Sequence, residues 1–274
     1  MGVLQNFKVN YSLFLCLYIF FASVAGDGVS NNSTIAARQR ELISQVRTQV
    51  SGLDDILSTD QSLQRYLKLT NYNVQTAASK IKQTAEWRRS KNIDNLILDD
   101  VSLLSVTLPY ECTGKTADGN PVFYIPLGKW NFRKVQRDRQ NARLQNYLTQ
   151  LFEFNLRTAA KSVNPRTQEP VKSSVFIIDL QGLSIRQLLS GWGRSARAVY
   201  QALRTYEAHY PNTVKSWYVI RAPRNFRMMW FFLKRFVPAD VVSTVKIYSR
   251  WSIRWRSELK SAIPKESLPK ELYL

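Results

Sequence analysis

Histidine occurs once and cysteine twice in 274 residues, so the chain has almost none of the side chains that build zinc centres, thiol catalysis or a disulfide framework. Acidic residues are also scarce, 20 against 39 Lys and Arg, which leaves a formal charge of +19. Ten glycines and ten prolines exclude collagen-like and low-complexity composition, and a 45% hydrophobic content excludes disorder. The length suits one large core or two small ones. The excess charge sits late in the chain: residues 1–110 hold 11 basic and 9 acidic side chains, whereas 111–274 hold 28 and 11. Such uncompensated positive charge favours an anionic partner, whether phospholipid headgroups, nucleic acid or an acidic protein.

One apolar run stands apart. Tyr11 to Ala25 carries no charge, follows Lys8 and ends in small residues, with Ser23 and Ala25 placed for cleavage after Ala25. It is shorter than the roughly 20 residues a spanning helix prefers, so residues 1–26 read first as a secretory signal peptide, with an uncleaved anchor or a hydrophobic extension as alternatives. Cleavage would remove Cys16 and leave Cys112 alone. Overlapping acceptor triplets begin at Asn31 and Asn32 and are glycosylation sites if this region reaches the lumen.

Residues 27–59 form an amphipathic helical segment, in which Ala36, Ile43, Val46, Val50, Leu53 and Leu57 make one stripe over a predicted helix at 35–58 that Gly52 weakens. Residues 60–100 form a helical module: Asn73 caps a helix from Val74 to Arg89 with Ala77, Ala78, Ile81 and Ala85 on its apolar face. From 101 to 274 short apolar runs alternate with helical stretches, the mark of a mainly parallel sheet with crossover helices. The predicted strands are Val122 to Leu127, Val175 to Leu180, Trp217 to Ile220 and Val245 to Tyr248, the first introduced by the turn Asp118-Gly119-Asn120-Pro121. The predicted helices lie at about 137–160, 187–208 and 224–235.

These segments carry a resemblance. Ala85-Glu86-Trp87-Arg88-Arg89, the run DGNPVFYIPLGKW from Asp118 to Trp130, VFIIDLQGLS from Val175 to Ser184, Tyr210-Pro211, WYVIRAP from Trp217 to Pro223 and FLKRFVP from Phe232 to Pro238 occur in an order and spacing similar to the CRAL-TRIO, or SEC-fourteen-like, lipid-transfer family, over roughly residues 60–272. The resemblance implies an α/β fold with a small helical N-terminal module, a sheet flooring an apolar cavity that takes one lipid, and a mobile gate helix, here Asn225 to Phe236. It implies no enzyme and no cofactor beyond the bound lipid. The last residues, from Leu268 to Leu274, read as the edge of the domain, and no second domain is expected after them.

The residues of the gate agree with that role. Phe226, Met229, Trp230 and Leu233 share one face, while Met228, Phe231 and Phe232 make the other side apolar as well. A helix apolar all round gains from closing on a cavity or entering a bilayer interface. Arg227, Lys234 and Arg235 at its ends suit docking on an anionic membrane surface. For a polar headgroup the candidates are Lys246, Asn212 and Arg221. The resemblance implies a Glu after Tyr-Pro and a Lys before the last strand's Ile in phosphatidylinositol-binding members; here Lys246 is present but Asn212 stands in place of the Glu. Arg221 replaces the usual small polar residue. Phosphoinositide specificity is therefore open, as is the identity of the lipid.

The rival readings are a basic membrane-surface or nucleic-acid binder without lipid exchange, and an enzyme. The cluster Lys129, Arg133, Lys134, Arg137, Arg139 and Arg143 suits the first, yet no RNP-type, zinc or helix-turn-helix pattern accompanies it, and no nucleic-acid partner is expected. Against the second, His209 lies beside Tyr210 with no Ser or Cys placed to use it, and Gly191-Trp192-Gly193-Arg194-Ser195-Ala196 does not follow a strand as a dinucleotide loop must. The leader points to a secretory or endomembrane location, the resemblance to the cytosol; oligomeric state is left open.

Overall fold

Residues 32–53, 55–96, 100, 102–183, 197–198, 201–202, 204–224, 226, 230 and 244–273 are described by a computed structural model of the chain. The expected leader, most of the predicted 187–208 helix and most of Asn225 to Phe236 lie outside these residues.

Four helices build the N-terminal module: α1 (Asn32–Gln49), α2 (Asp55–Ser58), α3 (Asp60–Leu69) and α4 (Val74–Ser90). The helix predicted at 35–58 is divided, because Gly52 adopts a left-handed φ of 83° and turns the chain between α1 and α2. Its stripe nonetheless serves one core, where Val46, Val50 and Leu57 pack with Leu63, Tyr66 and Leu67 of α3 and Ala77, Ala78, Ile81 and Ala85 of α4. Asn73 caps α4 as predicted, its side chain accepting from the Thr76 N–H at 2.9 Å. Helix α3, capped by Thr59, sets Leu63, Tyr66 and Leu67 at helical spacing on its core face, and Gln61, Ser62, Gln64 and Arg65 are buried beside them.

Short helices α5 (Ile93–Leu96) and α6 (Ser102–Thr107) lead to a five-stranded sheet in the order β1-β2-β3-β4-β5. The hairpin β1 (Glu111–Lys115) and β2 (Pro121–Ile125) is antiparallel; β3 (Ser174–Asp179), β4 (Val214–Ala222) and β5 (Val245–Ser249) continue in parallel. Helices α7 (Phe132–Arg137) and α8 (Asn141–Ala160) cross from β2 to β3, helical residues 204–209 precede β4, and α9 (Arg254–Ala262) follows β5.

Side-chain alternation gives the sheet two buried faces. Phe123, Ile125, Phe176, Ile178, Trp217 and Val219 face α8, together with Tyr206, Tyr210 and Phe226. Val122, Tyr124, Val175, Ile177, Tyr218 and Ile220 face α9 through Trp255 and Leu259, with Leu268 and Leu272 beyond. That double burial explains why β2 and β3 read as unbroken apolar runs. Strand β1 escapes the sequence reading because it is an edge strand, half exposed and interrupted by Gly114.

Two motif glycines close the base of the sheet. A β-carbon on Gly128 would lie 1.9 Å from the Gln181 carbonyl oxygen, and Gly182 turns at φ 83° beside it. Backbone here meets backbone, which no side-chain rotamer change can relieve. Gly128→Ala is therefore expected to lower stability by about 3 kcal/mol, measured by urea denaturation.

Candidate functional site

The helical module and the sheet meet at a buried charge cluster. Arg88 of α4 is 1% exposed and donates to both oxygens of Glu153 on α8, at 2.6 and 3.2 Å, and to Asp94 at 2.8 Å. Tyr210 Oη donates to Glu153 at 2.6 Å, and Arg157 reaches Asp94 at 2.6 Å. Burial alone would lower the Arg88 pKa, but the bond and charge of Glu153 outweigh it and hold the guanidinium above its usual value. Next to this cluster, Trp87 stacks on His209 with centroids 4.0 Å apart, and Thr84 Oγ1 lies 3.0 Å from His209 Nδ1. The single histidine is thus held as a packing element of the Tyr-Pro turn. Burial, then the charges of Arg88 and Lys80, push its pKa down to about 4.

The turn presents Asn212, at φ 53°, to a cleft of about 550 Å³ at the N-terminal ends of the parallel strands. Asn212 Nδ2 donates to the Arg65 carbonyl at 3.2 Å. The Arg65 side chain, 5% exposed, donates to the Lys172 carbonyl at 3.1 Å, and no carboxylate pairs with it among the described residues. Loss of hydration lowers its pKa to about 10. Lys68, Lys172 and Lys215 line the same cleft, against Asp118 and Glu169. The Lys172 pKa is lowered by burial and then by the charge of Lys68, with Glu169 opposing. Asp118 is shared between Arg166 at 2.6 Å and Lys215 at 3.7 Å. The cleft is therefore a place where an anion would be welcome. Sequence reasoning reached Asn212 but missed Arg65, Lys68, Lys172 and Lys215, which come together from a helix, a loop and a strand only in the folded chain.

The other headgroup candidates lie elsewhere. Arg221, at φ 54°, donates from Nε to Asp179 at 2.9 Å, pairs with it a second time through Nη2, and stands 5.8 Å over the Trp255 ring. Tyr124 Oη donates to the same carboxylate at 2.7 Å. Lys246 pairs with Glu258 at 2.7 Å and lies over Tyr218. Both cations are on the α9 side of the sheet with carboxylates of their own: the alternation that sends Val245 and Ile247 toward α8 turns Lys246 away, and the irregularity of β4 between Val219 and Ala222, with Arg221 at positive φ, turns Arg221 the same way.

Of the gate residues, Phe226 is buried in the α8-side core and Trp230 packs half-buried against it. Met229, Leu233, Arg227, Lys234 and Arg235 lie outside the described residues. Among the described residues the buried Asn155 amide on α8 and Ser174 Oγ at the start of β3 find no hydrogen-bond partner. The basic cluster around α7 is partly neutralised, with Lys134 and Arg137 on Asp138 and Lys129 on Glu271.

A doubly buried parallel sheet behind a helical module, with a Tyr-Pro turn at their junction, is matched by a family model: that of the CRAL/TRIO domain covers residues 110–272. The chain belongs to the CRAL/TRIO family. Among curated proteins it is similar to Protein real-time of Drosophila pseudoobscura pseudoobscura, 24% identical over 250 residues, covering 89% of this chain and 37% of that protein. Protein real-time of Anopheles gambiae is 26% identical over 186 residues, 67% of this chain and 26% of the relative. The CRAL/TRIO chain thus spans little more than a third of these relatives at most. Among solved structures, the crystal structure of Sfh5 superposes with a TM-score of 0.57 at 14% identity, over 81% of this chain and 82% of the other. That likeness supports the Sec14-like α/β fold.

His209 gives the junction a pH dependence. Its folded pKa lies below the ordinary 6.5, so the neutral ring is favoured by folding. The stability it contributes is complete above about pH 6.5 and is lost as pH falls toward 4. Stability curves between pH 7 and 4 are expected to slope downward for the native chain and to flatten across that window in His209→Asn.

Proposed function

We propose that this CRAL/TRIO protein binds one hydrophobic or amphipathic lipid on the α8 side of its sheet and exchanges it with membranes, with no covalent step. Phe226, Met229, Trp230 and Leu233 cover the ligand, and Arg227, Lys234 and Arg235 dock the gate on an anionic surface. The observation that carries the headgroup half of the reading is Arg65, buried without a carboxylate beside Asn212 in a cleft with three lysines. An anionic headgroup there would supply the missing counter-charge. Asn155 and Ser174 support a ligand or water with polar atoms between helix and sheet, since each unsatisfied group costs about 1 to 3 kcal/mol. Arg221 and Lys246 join the headgroup only by leaving Asp179 and Glu258, so Asn212 is the candidate on which this reading rests. In the same reading residues 1–26 direct the chain to the secretory route.

The test is mass spectrometry of an organic extract of the chain purified from a eukaryotic host and exchanged against mixed liposomes. A stoichiometric lipid is expected, and Arg65→Met should reduce retention of anionic species about tenfold relative to neutral ones. An empty protein that still binds anionic membranes or nucleic acid would move the account to the basic surface. Replacing Trp230 and Leu233 with Asp is expected to abolish transfer between liposomes; unchanged transfer would remove the gate assignment.

A further inference from the structure

The turn between β5 and α9 exposes what a soluble protein normally hides. Trp251 is 74% and Ile253 73% exposed, two residues apart at the tip of the turn. Arg250, Arg254 and Arg256 surround them, and no acidic residue occurs between Val245 and Ser257. Arg250 lies 5.6 Å over the Trp251 ring, so cation and aromatic are presented together. The turn is fixed by its own backbone: Ser252 N–H donates to Ser249 at 3.0 Å, and Arg254 N–H to Ser252 Oγ at 3.3 Å. Its far side is anchored by Trp255, buried in the α9-side core.

We infer that Arg250 to Arg254 is a membrane wedge, in which Trp251 and Ile253 enter the interface of a bilayer containing anionic lipid while the arginines meet its headgroups. An indole flanked by guanidinium groups is the side-chain chemistry of a bilayer interface, with an apolar body and a charged rim. Charge complementarity selects an anionic bilayer over a neutral one. The position of the turn selects a membrane over an unrelated partner: Arg250 N–H donates to the Ala222 carbonyl at 3.0 Å, and Ala222 is the last residue of β4 before Pro223 leads into the gate segment. A bilayer met by the wedge is met at the root of that segment. This inference rests on the membrane-exchange reading above and adds to it a docking element outside the gate.

The test is co-sedimentation of the full chain with phosphatidylcholine vesicles, with and without phosphatidylserine, beside the lipid content of each purified protein. Trp251→Ala with Ile253→Ala is expected to weaken binding at least about tenfold. Arg250→Gln with Arg254→Gln should weaken it by about 25-fold on phosphatidylserine vesicles and little on phosphatidylcholine alone, a difference that salt erases. Quenching of tryptophan emission by brominated lipid should fall in Trp251→Phe. The altered side chains are exposed, so unchanged thermal unfolding verifies the fold of each variant. Equal vesicle binding by the Trp251/Ile253 variant, or equal quenching in Trp251→Phe, overturns the wedge. So does a native chain that ignores vesicles but self-associates through Trp251, which would make the turn a contact between copies. A chain without bound lipid whose vesicle binding still depends on Trp251 would overturn the carrier reading and leave the wedge standing.

Discussion

The Arg88–Glu153 pair is the interaction on which the arrangement of this molecule depends. Both side chains are essentially without solvent contact, and each belongs to a different part of the fold, Arg88 to the helical module and Glu153 to the helix covering the sheet. A buried pair is a weak source of net stability, but leaving one partner alone costs about 3 to 5 kcal/mol, a large share of the 5 to 15 kcal/mol typical of a whole domain. Here the pair is completed by Asp94, Arg157 and Tyr210, so two guanidinium groups face two carboxylates. Its consequence is positional. Tyr210 opens the turn that carries Asn212, and Asn212 is bonded to the backbone of Arg65 on α3. Cleft, turn and module are therefore held by one electrostatic joint, and Trp87 stacked on His209 seals its edge.

The excess positive charge of the second part of the chain is not spread evenly once folded. Arg221, Lys246, Arg166, Lys134 and Lys129 each meet a carboxylate. Two concentrations of positive charge stand at opposite ends of the parallel strands: Lys172 and Lys215, joined by Arg65 and Lys68 of the helical module, at the N-terminal end, and the arginines around Trp251 at the C-terminal end. Strands of five to nine residues separate these ends by about 15 to 30 Å. The two sites are chemically distinct. The first is concave and holds a buried cation that no carboxylate meets among the described residues; the second is convex and mixes cations with exposed apolar surface.

Most of the sheet was legible because its strands are buried on both faces, which writes them as short unbroken apolar runs with turn signals between. Strand β1 was illegible for the opposite reason: Glu111, Cys112, Thr113, Gly114 and Lys115 have neither alternation nor apolar content, and only β2 makes them a strand. Gly52 was recognised as weakening a helix but not as ending it, since a glycine interrupts a helix only when packing on the far side rewards the turn. In the site, Asn212 was found through the Tyr-Pro pair, whereas Arg65 was not, because a buried polar residue leaves no periodic trace. The partners that hold Arg221 and Lys246 were equally hidden, since Asp179 and Glu258 come to them through tertiary packing.

A membrane that only holds the protein cannot by itself move a gate, because binding shifts an equilibrium only through differential affinity for its two states. The proposed wedge lies on the turn joining β5 to α9, clamped by backbone bonds and by buried Trp255, so it would present the same surface whether the gate is closed or open. In that reading its binding adds affinity and leaves the gate equilibrium untouched. The proposed gate differs: Phe226 is buried in the α8-side core and Trp230 packs against it, and a bilayer would receive them only when they leave it. In the proposed reading, opening is therefore driven by the gate's own apolar side chains, while the wedge, one hydrogen bond from the gate's root, keeps the bilayer close enough to take them.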